Sequence, residues 1–152
     1  MEKTIYNLAL LALFAPLTGA IIAGLFGKRI GNRPTQYITI AGIAIALISS
    51  VWMFGTLLMN GIDAINIHFY RWGDSGNFIF NVGALVDRLS LVMMVTVNFV
   101  SLLVHIYSIG YMDNDPGYCR FFSYMSLFTF GMLCLVLADN FLMLFFGWEA
   151  VG

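Results

Sequence analysis

Hydrophobic positions along this chain fall in long unbroken runs rather than in the stripes of an amphipathic fold. No residue from Ile5 to Gly27 is charged, and as a helix this run is long enough to cross about 30 Å of hydrocarbon. Comparable stretches at 36–59, 89–112 and 120–138 predict three further membrane helices. A fifth, 140–152, is shorter than the ~20 residues a crossing needs, so it is expected to be incomplete and the chain to be a piece of a longer or split protein. Between spans two and three, Ile65, Ile67 and Phe69 alternate with Asn66 and His68. After Gly73-Asp74-Ser75-Gly76-Asn77 the alternation resumes with Phe78, Phe80 and Val82. Period two around a glycine-rich turn predicts a β-hairpin over 64–83. A lone hairpin is marginal in water, so this one is expected to pack on the helices or on another subunit. The expected fold is an all-α integral membrane protein: one region, 1–152, with about five transmembrane helices and one extramembrane β-hairpin.

Local signals refine this outline. Pro16 is expected to kink the first helix, because it removes a backbone donor and crowds the preceding turn. Gly19 with Ala23, Ala20 with Gly24, and Gly42, Ala46 and Ser50 are spaced by four, which allows another helix to approach closely. Asp113 to Gly117 reads as a turn built by Asp and Pro. Asp139-Asn140 leaves almost no loop between spans four and five, predicting an antiparallel helix pair. Either residue suits the cap of the fifth helix, with Asp139 preferred for that role over a place on a proton path. Asp87 and Arg88 are expected to form a local ion pair at the start of the third.

Composition changes the picture by excluding alternatives. Apolar residues make up 61% of the 152 and charged residues 10%, where soluble domains carry about 25% charged. A soluble fold of this size has too little interior for so much apolar side chain. The net charge of -1 argues against nucleic acid. Cys119 and Cys134 would lie about 22 Å apart on one helix, so packing is their expected role. No nucleotide loop, CxxC pair or Ser/His/Asp set is visible, and no metal site or cofactor is expected in this chain. The first apolar run exceeds the ~7–15 residues of a signal-peptide core, so the first helix is expected to be retained. Lys28, Arg29 and Arg33 form a basic loop, 28–35, expected on the cytoplasmic side with the N-terminus outside, in a bacterial cytoplasmic membrane.

Glu149 and His105 are the acid and the histidine that lie within the spans. Glu149 follows Asn140 by nine residues, about 13 Å of helix, which puts it near the membrane midplane. Placing a charge there costs at least ~2.5 kcal/mol, and such residues mark ion paths. The alternatives are a proton-carrying acid and a structural glutamate satisfied by a neighbouring helix. No Lys or Arg of this chain is expected at that depth, so a cationic partner would come from elsewhere. His105, seven residues before Met112, is either a proton relay or a packed, hydrogen-bonded histidine.

VDRLSLVMMVTVNF at Val86–Phe99, HIYSIGYM at His105–Met112, GYCRFFSYMSLF at Gly117–Phe128 and VLADNFLMLFFGWEAVG at Val136–Gly152 carry a resemblance. They resemble the N-terminal part of the subunit L family of respiratory complex I (NADH:quinone oxidoreductase), known as NADH dehydrogenase subunit 5 in mitochondria. The large subunits of multisubunit cation/proton antiporters share this region. The resemblance implies a helical membrane subunit of about four times this length, built from inverted five-helix repeats with proton half-channels. It implies that Glu149, in the GWE motif, pairs with a lysine two helices later in a relay coupled to quinone reduction. The parent complex would use FMN, iron–sulfur clusters and quinone, none of them held by this chain, and other membrane subunits would be its partners. A sodium or potassium/proton antiporter subunit and a non-pumping structural piece are the competing expectations.

Overall fold

The computed structural model describes residues 2–75 and 78–152, so Gly76 and Asn77 of the expected hairpin turn lie outside the described residues. Five helices and one hairpin follow in order: α1 Glu2–Ile30, α2 Asn32–Asn60, β1 Ala64–Ser75, β2 Phe78–Asp87, α3 Arg88–Tyr111, α4 Tyr118–Val136 and α5 Phe141–Val151. Among the described residues, α1 to α4 are long and apolar enough to cross a membrane, and α5 is a shorter apolar helix. Only about a third of each long span is buried inside the bundle. Leu25, Trp52 and Leu103 lie on the outside. An exterior this apolar is stable against lipid and costly against water. The protein is an integral membrane protein.

α1 sits between α2 and α4, and small residues set how closely. A Cβ on Gly42 of α2 would lie 2.7 Å from the Ala15 carbonyl oxygen of α1. A Cβ on Gly24 or Gly27 of α1 would meet Ser123 or Cys119 of α4 at 2.8 and 2.7 Å. The spaced glycines therefore work as close-approach positions. Cys119 and Cys134 are both free, and Cys119 packs in the α1 contact.

The basic loop expected at 28–35 is not a loop. Lys28 and Arg29 complete the last turn of α1, while Arg33 and Pro34 lie in the first turn of α2. Gly31 alone joins the two helices, with φ 95°, a conformation glycine adopts without a Cβ penalty. Pro34 is tolerated because backbone N–H groups of a first helical turn have no intrahelical partner. The cations of α1 face the negative end of its helix dipole.

The strands pair antiparallel from Ala64↔Asp87 to Ser75↔Phe78, with irregularities between His68 and Tyr70 and between Arg71 and Gly73. β2 runs on to Asp87, beyond the expected end at 83, because Leu85 and Val86 continue the ladder opposite Asn66 and Ile65. Ile67, Ala84 and Val86 are buried with Ile5, Leu57, Leu91 and Leu137, so the hairpin packs on the helices. Asp87 does not pair with its neighbour as expected. It caps α3: the Ser90 N–H donates to Asp87 Oδ1 at 2.6 Å, and the Asp87 N–H donates to Ser90 Oγ at 2.9 Å. Arg88 reaches instead to Asp63, at 2.9 Å.

Candidate functional site

The site around Glu149 is built from the α4–α5 pair. Asn140, not Asp139, caps α5: its side-chain oxygen accepts from the Met143 N–H at 2.9 Å. Asn140 has the extended backbone that an N-cap requires, φ -147° and ψ 162°. The Asp139 carboxylate instead accepts a hydrogen bond from the Asn140 side-chain amide at 2.6 Å.

Seven residues into α5, Gly147 is buried against α4, where a Cβ would lie 2.7 Å from Leu135 N and 2.8 Å from Leu135 Cα. Gly131 of α4 returns the contact, its Cβ position 3.3 Å from Ala150 Cβ and Val151 Cγ2. Each helical residue advances about 100°, so Glu149, two beyond Gly147, is turned about 200° from the α4 contact. Accordingly Glu149 is exposed on the outer face of α5, beside the exposed Trp148, Phe145 and Phe146. Among the described residues no cation forms an ion pair with it. A carboxylate here can accept and release a proton and can pair with a cation carried by another helix.

His105 lies elsewhere, inside the bundle, with 1% of its surface exposed. Its Nδ1 is 2.8 Å from the Ser101 carbonyl oxygen and 3.5 Å from Ser101 Oγ. Its Nε2 is 3.4 Å from Ser126 Oγ of α4, and Phe122 stands edge-on at 5.7 Å. Ser101 Oγ continues to Thr129 Oγ1 at 2.6 Å. One turn away, the Asn98 amide donates to Ser50 Oγ of α2 at 3.0 Å, and Asn98 Oδ1 is a buried acceptor without a hydrogen-bond partner. Tyr118 donates to Gln36 nearer the end of the bundle that carries Lys28 and Arg120. An apolar cavity of about 270 Å³ between α3 and α4 reaches down to Ser101 and Thr129.

The two residues singled out by sequence are therefore not assembled into one site: α5 presents Glu149 outward, and α3 buries His105 against α4. Sequence reading passed over Asn98, Ser101, Ser126 and Thr129. Their signal was present as polar residues three or four apart in apolar helices, Asn98, Ser101, His105 and Ser108 on α3 and Ser123, Ser126 and Thr129 on α4. Among the described residues, no group of three or more His, Cys, Asp or Glu could hold a metal ion.

Comparison with known proteins agrees with this layout. The family described as NADH-Ubiquinone oxidoreductase (complex I), chain 5 N-terminus matches residues 72–122. NADH-quinone oxidoreductase subunit L of Neisseria meningitidis serogroup A is 48% identical over 152 residues, covering 99% of this chain and 22% of the relative. Its counterpart in Rickettsia felis is 44% identical over 146 residues, or 96% of this chain and 22% of the relative. NADH-ubiquinone oxidoreductase chain 5 of Trichophyton rubrum is 46% identical over 143 residues, again 94% and 22%. The chain thus spans 22% of the length of these relatives. Relatives of both names align over nearly all of it, and the chain is similar to the N-terminal region of the subunit L and chain 5 proteins of NADH-quinone oxidoreductases.

Proposed function

We propose that this chain forms the N-terminal part of a proton-translocating membrane subunit of an NADH:quinone oxidoreductase, with Glu149 as the carboxylate that loads and unloads the proton. The observation that carries this reading is the placement of Glu149: the single charged residue of α5, turned away from α4 by the Gly147 contact. An acid in apolar surroundings gains from a cation on a facing helix, and movement or titration of that cation changes its hold on the proton. The resemblance supplies the partner as a lysine outside this chain. Flavin, iron–sulfur clusters and quinone belong in this reading to other parts of the complex, with the neighbouring membrane subunits and the lipid as this chain's partners. The membrane would be the bacterial cytoplasmic one, with the Lys28–Arg33 end inside.

Glu149→Gln in the intact complex, reconstituted in sealed vesicles, tests it. The complex is expected to assemble and to slow proton translocation about a hundredfold or more, the usual effect of losing an acid–base group. Undiminished translocation would favour a structural role for these helices. Translocation that follows sodium or potassium, from a particle lacking NADH-oxidising subunits, would favour the antiporter reading.

A second reading concerns His105, whose ring joins Ser101 and Ser126 inside the bundle. It acts there as a relay between hydroxyl groups. His105→Gln retains hydrogen bonding without titration, and is expected to slow translocation while leaving assembly intact; unchanged translocation would make His105 a packing residue.

A further inference from the structure

The turn that starts α5 is gripped by the hairpin. The Asn140 side-chain amide donates to the Asn81 carbonyl oxygen of β2 at 2.9 Å. The Leu85 N–H of β2 donates to the Leu137 carbonyl oxygen at 2.9 Å. Between them, the Asp139 carboxylate lies over Gly83, where a Cβ would collide with Asp139 Oδ2 and lie 2.7 Å from the Ile67 carbonyl oxygen. Asn81, Gly83 and Leu85 are alternate residues, so their backbone groups point to the same edge of the strand. That edge faces away from β1 and meets the α4–α5 turn at Leu137, Asp139 and Asn140. The amide of Asn140 thus does two jobs, capping α5 through its oxygen and holding the hairpin and Asp139 through its nitrogen.

We infer that Asn140, Asp139 and Gly83 are positioning residues for Glu149, with the outer edge of β2 holding the start of α5 in the height and rotation that the Gly147 contact with α4 admits. The inference rests on the proton-carrying reading of Glu149. A helix transmits its origin rigidly: a slip of one residue moves every later side chain about 1.5 Å along the axis and about 100° around it. The Gly147–Leu135 contact admits only a glycine, so such a slip would drive Phe146 or Trp148 against the α4 backbone, and α5 must start in the one register that contact allows. The grip on the turn where α5 begins, about 13 Å from Glu149, holds the helix in that register.

The test uses the complete oxidoreductase carrying this region within its full-length subunit. Asn140→Ala removes the cap and the clamp, Asn140→Ser keeps a good cap but removes the amide donor, and Gly83→Ala forces Asp139 off the strand. Three readouts are needed: NADH–quinone electron transfer as a measure of assembly, translocated protons per electron, and the infrared carboxyl band abolished by Glu149→Gln. All three clamp variants are expected to shift that band and slow translocation about tenfold to a hundredfold, as misplaced acid–base groups do. A band and a proton yield unchanged in Asn140→Ala, or full rescue of both by Asn140→Ser, would overturn the inference. Should Gly83→Ala not assemble, Asn140→Ser, which deletes one donor only, decides alone. If Glu149→Gln itself translocates normally, the proton-carrying reading has failed; if it is defective while the clamp variants behave normally, only the positioning role has.

Discussion

A single hydrogen atom in place of a side chain decides where Glu149 points. Gly147 lets α5 lie against the Leu135 backbone, and the carboxylate two residues later is carried to the opposite side. Gly147→Val should push α5 away from α4 at a cost of about 1–3 kcal/mol, the usual range for overpacking a close contact. Thermal unfolding of the detergent-solubilised complex measures the loss, and an unchanged midpoint would mean the two helices are not in contact there. The GWE spacing was legible as a motif, but its physical content was not: only the α4 backbone beside it shows that the glycine sets direction. The Asp139 and Asn140 assignment went the other way for a similar reason. Both residues cap helices well, and the role fell to Asn140, whose oxygen takes the Met143 N–H while Asp139 lies against Gly83 of the hairpin.

At the scale of elements, the helix starts carry more weight than the surface ion pairs. Asp87→Ala removes the capping box of α3 and should cost about 1 kcal/mol. Faster hydrogen exchange of the Ser90 and Leu91 amides would report it. Arg88→Ala breaks the pair with Asp63, whose side chain is 89% exposed, and should cost under about 1 kcal/mol. Equal losses in the two variants would contradict the cap. Sequence placed Asp87 beside Arg88 and read a pair from adjacency. The structure separates the two roles, because β2 delivers Asp87 in the extended conformation an N-cap needs, φ -120° and ψ 178°. The same extension of β2 carries the ladder past the expected end of the hairpin.

Across the whole molecule, the turns fall at two ends. Gly27, Lys28, Gly31, Asn32, Pro116, Gly117 and Arg120 line one cavity, so the α1–α2 and α3–α4 connections share an end. The hairpin and the α4–α5 turn share the other. Lys28, Arg29, Arg33 and Arg120 gather at the first end, against Lys3, Arg71 and Arg88 at the second, and in the proposed orientation the first end faces the cytoplasm. Single cysteines replacing Lys28 and Asp115 in a background without Cys119 and Cys134 should therefore react together from the cytoplasm. A cysteine replacing His68 should react from the opposite side. Labelling of Lys28 and His68 positions from the same side would refute this arrangement.

The four long apolar spans and the hairpin were determined by the sequence alone, because run length and period are local properties of a chain. Which way each helix faces was not. Helices that are apolar nearly all round carry little amphipathic direction, so the facing of α3, α4 and α5 is set by close packing and by a few buried polar contacts. His105 finds Ser126 on another helix, and Asn140 finds Asn81 across 59 residues of sequence. Those pairings need the hairpin and the bundle to exist first, which is why the tertiary structure alone brought Glu149 outward, turned His105 inward and made the edge of β2 the anchor of α5.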